Sequence, residues 1–196
     1  MNLSRNSYVL AFCLGGMWSI VISVLVSVAM SFFTGMAFKP NLTNSAALGV
    51  IAGLLFLHFK IKSIIILFTI LACFLIEFPK KETIWISEDV TRLQKMLTYA
   101  IYSMCLILPL ATILKGLKPG KVDRFEFETS IVRFLTGVGF IIFTVAVFVP
   151  FYVMIMTSLK SQQELLLNPL NFGIDFSKGV GLFRSYYELF TDFNFG

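Results

Sequence analysis

Residues 134–159 read FLTGVGFIIFTVAVFVPFYVMIMTSL, an uncharged stretch closed by Lys160. A bilayer hydrocarbon core is about 30 Å thick and takes roughly 20 apolar residues as a helix, so this stretch is long enough to cross one. Four more apolar runs precede it, at 8–36, 45–59, 63–78 and 96–114. The chain therefore reads as an all-α, polytopic membrane helix bundle with about five transmembrane or membrane-embedded helices.

Composition agrees. The chain is 57% hydrophobic and 14% charged, and 22 of its 196 residues are Phe; its mean hydropathy is +0.85. Soluble domains carry roughly a quarter charged residues. The formal net charge of +5 does not point to nucleic acid, because the 16 Lys and Arg are scattered between apolar runs rather than clustered. Cys13, Cys73 and Cys105 each lie within an apolar run, without a CxxC spacing or a nearby His, and read as small hydrophobes packed between helices.

The uncharged stretch 6–38 is longer than the roughly 7–15 apolar residues of a signal-peptide core. It reads as a retained first span, longer than the bilayer needs, and Lys39-Pro40-Asn41 is expected to end it. The runs 45–59 and 63–78, parted by Lys60-Ile61-Lys62, form a short hairpin that either spans or dips in and returns. A polar connector follows at 79–95, in which Trp85 suits an interfacial anchor. The run 96–114 carries Pro109 in its second half, which a membrane helix tolerates when a neighbour satisfies the freed carbonyl. Lys118-Pro119-Gly120 marks a turn, and the chain divides there into residues 1–121 and 122–196.

Basic residues set the expected orientation. With the amino terminus inside, Arg5, Lys60, Lys62, Lys115, Lys118, Lys121, Arg124 and Arg133 are cytoplasmic, and the other eight Lys and Arg fall on longer outside connectors. Basic density favours amino terminus in and carboxyl tail out.

The residues that could carry chemistry are few. His58 is the single histidine and ends an apolar run, where an interfacial side chain is the plain reading; a proton relay needs intramembrane acids, and Glu77 is also at a run end. Gly49 and Gly53 form a GxxxG pair, and Gly137 and Gly139 sit early in the last span; such residues permit close helix approach but are common in membrane helices. Asn41-Leu42-Thr43 matches a glycosylation sequon, a frequent chance pattern. HExxH, GxSxG and P-loop signatures and paired intramembrane carboxylates are missing, so no catalytic, cofactor-binding or metal-binding residue is expected.

The order of residues after position 131 is less generic. Pro150 is followed by Phe151-Tyr152, then Thr157-Ser158-Leu159-Lys160, Glu164, Asn168-Pro169 and Tyr187-Glu188-Leu189-Phe190. This order resembles the permease subunits of binding-protein-dependent (ABC) sugar importers of the maltose type. There the first core helix ends on a proline with aromatics, and a periplasmic loop with a Glu, an Asn-Pro or Pro-Pro and a Tyr before Leu-Phe follows. The resemblance covers residues 131–196, about a third of the chain. It implies a sugar-importing permease in a bacterial inner membrane. Its partners would be a second permease subunit, ATP-binding subunits that use the ATP and a periplasmic substrate-binding protein. Residues 1–121 would be an extension, and the stretch would be truncated before the Glu-Ala-Ala coupling loop that docks on the ATPase. The motif positions Pro150, Thr157, Ser158, Lys160, Glu164, Asn168, Pro169 and Tyr187 are not assigned as contacts. The alternative is a small accessory or scaffold membrane protein without transport activity of its own.

Overall fold

The computed structural model describes residues 6–58 and 83–160, together with Leu166, Gly179, Gly181, Tyr187 and Thr191. Four helices and one pair of short strands order them: α1 (Ser7–Thr34), β1 (Phe38–Pro40), α2 (Leu42–His58), β2 (Ile84–Ile86), α3 (Arg92–Ile113) and α4 (Arg124–Ser158). Three of these helices, α1, α3 and α4, are long and apolar enough to cross a membrane. The expected run 63–78 lies outside the described residues, as do Glu164, Asn168 and Pro169.

α1 opens on Asn6, whose side chain accepts from the Tyr8 N–H at 3.2 Å and so satisfies a donor that has no partner within the helix. It ends at Gly35, not at the expected Lys39-Pro40-Asn41. Gly35 adopts φ 70° and donates its N–H to the Ser31 carbonyl, a left-handed cap open to glycine because it has no Cβ. The Ser31 hydroxyl then accepts from the Phe38 N–H at 3.1 Å and turns the chain into β1. At 28 residues α1 is about 42 Å long, more than a bilayer core.

The strand pair departs from an all-α fold. β1 and β2 run antiparallel, with Phe38 opposite Ile86, Lys39 opposite Trp85 and Pro40 opposite Ile84. Three residues a side are too few for an alternating pattern to show in the sequence. Trp85 is half exposed, and Lys39 Nζ lies 5.3 Å from its ring centroid, a cation–π contact at the rim of the bundle.

Asn41 works as a cap for α2. Its side-chain oxygen accepts from Thr43 Oγ1 at 2.8 Å and from the Asn44 N–H at 3.3 Å. α2 then returns antiparallel along α1. Ser45 lies beside Ser19, the backbones of Gly49 and Gly15 touch, Gly53 lies against Ala11, and the His58 and Tyr8 rings are 5.8 Å apart. His58 therefore shares an end of the bundle with Asn6, whereas Thr83 accepts from the Asn41 N–H at the opposite end.

α3 starts four residues before the expected run, because Gln94 Oε1 accepts from both the backbone N–H and the hydroxyl of Thr91 and closes the first turn. α4 starts ten residues before its expected run. Arg124, Glu126, Glu128 and Arg133 suit a helix well but not lipid, so the helix extends past the apolar stretch. Arg133 reaches back to donate to the Lys115 carbonyl at 2.7 Å, beside the carboxyl end of α3 where the helix dipole favours a cation. At the same end, Ser7 donates its N–H to the Gly120 carbonyl at 3.0 Å and accepts the Gly120 N–H on its hydroxyl at 2.9 Å.

The core lies where α1, α2 and α3 meet, around Leu14, Trp18, Ile22, Ala52, Tyr102 and Leu106. The α1–α2 contact depends on missing side chains. A Cβ on Gly49 would overlap the Gly15 carbonyl oxygen and Ser19 Cβ, and one on Gly53 would overlap the Ala11 carbonyl oxygen. The glycine pair seen in the sequence is thus a close helix crossing. Gly139 meets nothing within 4 Å. Gly49→Ala is expected to lower stability by about 1–3 kcal/mol through overpacking, while Gly139→Ala raises it by up to about 1 kcal/mol through helix propensity. Unfolding titrations of the two variants in mixed micelles check the contrast; equal effects would refute the close crossing.

Candidate functional site

Serine recurs on one face of α1 at Ser19, Ser23 and Ser27, four residues apart, and each is buried. A hydroxyl held away from water needs a partner. Ser23 turns back on the Ile20 carbonyl of its own helix at 2.9 Å. Ser19 instead bridges three helices. Its Oγ donates to the Ser45 carbonyl on α2 and lies 2.7 Å from the Tyr102 hydroxyl on α3. A serine hydroxyl has one proton, so with that proton on Ser45, Tyr102 is the donor to Ser19. The chain of bonds therefore runs from Tyr102 to Ser19 to the Ser45 carbonyl. The Ser45 hydroxyl extends the network to the Thr83 carbonyl at 3.3 Å, and Tyr99 donates to the Ile84 carbonyl at 3.2 Å, tying α3 to β2.

A second buried bond answers the proline in α3. Pro109 has no N–H for the carbonyl four residues earlier, that of Cys105. Trp18 Nε1 on α1 donates to that carbonyl at 3.3 Å. The neighbour that the sequence requires is thus identified. The same indole packs edge-on to Phe134 of α4, with centroids 6.1 Å apart and planes at 72°, and its far edge lies over Gly137.

This polar seam is made of hydroxyls and carbonyls, without a carboxylate, imidazole or amine. The protons of Tyr102 and Ser19 are spent on bonds between helices, so this seam holds the bundle together. Among the described residues, Ser27 Oγ and Thr83 Oγ1 are buried without a partner, and a buried hydroxyl left so costs about 1–3 kcal/mol. Among the described residues no group of three or more His, Cys, Asp or Glu could hold a metal ion. His58 is exposed against Tyr8 at the bundle end.

A different feature lies between α1, α3 and α4. A groove of about 450 Å³ is lined by apolar side chains, among them Leu25, Ala29 and Phe33 of α1, Ile101 of α3 and Val145 and Phe148 of α4. Two bridges bound it. Trp18 meets Phe134 and Gly137 on one side. On the other, Tyr152 donates to the Phe32 carbonyl at 2.9 Å and sets its ring 6.0 Å from that of Phe32.

No family model, curated protein or solved structure matches this chain. Function has to be argued from its own residues.

Of the motif positions named from the sequence, Pro150, Thr157 and Ser158 lie on the carboxyl-terminal part of α4 and Lys160 just beyond it, Tyr187 lies outside that helix, and Glu164, Asn168 and Pro169 lie outside the described residues. Pro150 is exposed within α4. Thr157 returns its hydroxyl to the Val153 carbonyl at 2.9 Å and Ser158 to the Ile155 carbonyl at 2.8 Å, which ties both to their own helix. The half-buried Lys160 continues this turn by donating its N–H to the Thr157 carbonyl at 3.4 Å. Tyr187 is exposed, and its carbonyl accepts from Thr191 Oγ1 at 2.8 Å. None of these bonds reaches the polar seam or the groove. Of the residues that do build those features, Ser19, Tyr102 and Trp18 are not marked as a site by the sequence reading, while Tyr152 stands in the permease-like order of residues. The four-residue serine spacing in α1 was the signal available for the first.

The Trp18 bond can be isolated. Trp18→Phe should cost about 1 kcal/mol through the lost hydrogen bond, besides its packing loss. In a Pro109→Ala background the helix supplies its own N–H to Cys105, and that part of the loss should disappear. A double-mutant cycle of unfolding free energies tests this, and additive effects would refute the assignment.

Proposed function

We propose that this chain forms part of the permease subunit of an ABC importer that moves a sugar across a bacterial inner membrane. The ordered motif from Pro150 through Thr157-Ser158-Leu159-Lys160 to Tyr187-Glu188-Leu189-Phe190 carries the reading. Sugar as the cargo rests on that resemblance. The chain works with a second permease subunit, with ATP-binding subunits that supply the energy, and with a periplasmic protein that delivers the solute. It needs no catalytic group of its own, because ATP hydrolysis takes place on the partners.

Two features of the fold support this reading. No residue in the most apolar 18-residue window of α4 is buried within the chain. A subunit of a multi-span pathway needs such a surface for neighbouring spans. The orientation also suits it. Lys160 lies at the opposite end of α4 from Arg124, and the Arg124 end adjoins Asn6, Lys115, Lys118 and Lys121. Basic residues near short connectors favour the cytoplasm, which supports the reading of a periplasmic tail after Lys160.

The accessory or scaffold reading has an observation of its own: α1, α2 and α3 share a core to which α4 adds Phe134 as a buried hydrophobe. Two measurements decide. Deleting the gene should abolish uptake of one labelled sugar from a panel of mono- and oligosaccharides, and a plasmid copy should restore it. A phosphatase fused after Lys160 should be active, as a periplasmic enzyme is. Unchanged uptake across the panel would favour the accessory role, and an inactive fusion would overturn the orientation.

A further inference from the structure

We propose that the Ala146 carbonyl of α4 accepts a hydrogen bond from a membrane helix of another polypeptide, which docks on the face of α4 turned away from the groove. Pro150 has no N–H, so the carbonyl four residues earlier, that of Ala146, loses its bond within the helix. Pro109 makes the same demand in α3, and Trp18 answers it. For Ala146 no side-chain donor is found among the described residues. Tyr152 donates to the Phe32 carbonyl, and Thr157 returns its hydroxyl to Val153. Thr144 cannot reach forward, because a threonine in a helix bonds back to carbonyls of the preceding turn.

Depth makes this carbonyl costly to leave alone. Ala146 stands 12 residues after Phe134 and 13 before Leu159, in the middle of the uncharged stretch. Those separations are about 18 and 20 Å of helix axis, against the roughly 15 Å from the midplane of a bilayer core to its edge. Water and headgroups do not reach that level, and acyl chains have no donor. Lipid therefore leaves the carbonyl unpaired, and a donor has to come from protein.

The surrounding face separates a different polypeptide from a second copy. Phe143, Ala146, Val147, Pro150 and Met154 recur at helical spacing, and all are exposed. The groove residues Val145, Phe148 and Tyr152 lie on the other side of the helix. None of the five exposed side chains carries an O–H or N–H. A symmetric pair of chains would put this same face on both sides of the contact, and neither copy could supply the proton. The matching surface therefore belongs to another chain, with a hydroxyl, amide or indole donor that complements the partial negative charge of the carbonyl. Ala146 is the small residue of the face and lets such a side chain approach the backbone. The contact does not depend on the partner being a second permease subunit; that identity rests on the importer reading.

Photocross-linking tests this in membranes of cells that make the full chain from its own gene, with p-benzoylphenylalanine replacing Phe143 or, separately, Met154. Illumination should join the chain to a membrane helix of one other polypeptide. The cross-linked peptide, identified by mass spectrometry, should carry a hydroxyl, amide or indole donor. Removing that donor by the nearest apolar substitution should lower the adduct about fivefold. In a Pro150→Ala chain, position 150 donates to Ala146 again, and the same removal should lower the adduct by less than about twofold. Equal amounts of each chain in the membrane verify that the variants are inserted. An adduct with lipid or a second copy alone, an adduct with a helix that has no donor, or no adduct from either position would overturn the proposal. So would an equal loss in the Pro150→Ala chain. Sugar uptake unchanged by gene deletion, with the adduct and its donor dependence intact, would fail the importer reading and still support this contact.

Discussion

The backbones of α1 and α2 can touch only because Gly15, Gly49 and Gly53 have no side chain, and other contacts of the bundle follow from that closeness. The Ser19 hydroxyl reaches the Ser45 carbonyl across the helix gap because the crossing lies one turn away. With its proton committed to Ser45, Ser19 becomes an acceptor, and Tyr102 brings α3 to the same place. A wider crossing would part Ser19 from Ser45 and leave Tyr102 with a different bond to make. In a bundle with little water, each such bond is worth about 1 kcal/mol, but an unpaired hydroxyl costs more.

α1 is the hub, and Trp18 performs three of its tasks. Its N–H satisfies the Cys105 carbonyl that Pro109 abandons, its ring meets Phe134, and the far edge of the indole occupies the space that Gly137 leaves. A smaller aromatic could keep one of these contacts but not all three. The proline in α3 therefore makes a demand that α1 answers, and the same side chain sets where α4 begins its approach.

Much of this architecture was legible in the sequence, since spans follow from apolar length alone. The run 96–114 became α3, residues 134–158 lie within α4, and residues 45–58 lie within α2, which starts three residues earlier. Helix ends were less legible. Proline at position 40 looked like the stop, yet Gly35 acts first, because a left-handed cap depends on one residue and not on the run around it. The β1–β2 pair was invisible at three residues a side. The requirement of Pro109 for a neighbour could be read, but not the donor, which is 87 positions away in the chain. For the same reason the permease-like motif, which is local, could be read in order, while the seam and groove, assembled from distant helices, could not.

The arrangement of α4 separates two kinds of holding. α1, α2 and α3 are joined by close backbones and buried hydrogen bonds, which fix geometry tightly. α4 meets them chiefly through the Trp18 contacts at one level, the Tyr152 bond at another and the Arg133 bond to Lys115 at its amino-terminal end. Between those points Val138 and Ile141 are partly buried against the core, and no residue of its most apolar window is fully buried. A helix held at separated points can tilt about them at small cost, since few buried contacts must break to allow it. The outer helix is therefore the part of this bundle whose position other spans or lipid can set, while the inner three keep their register.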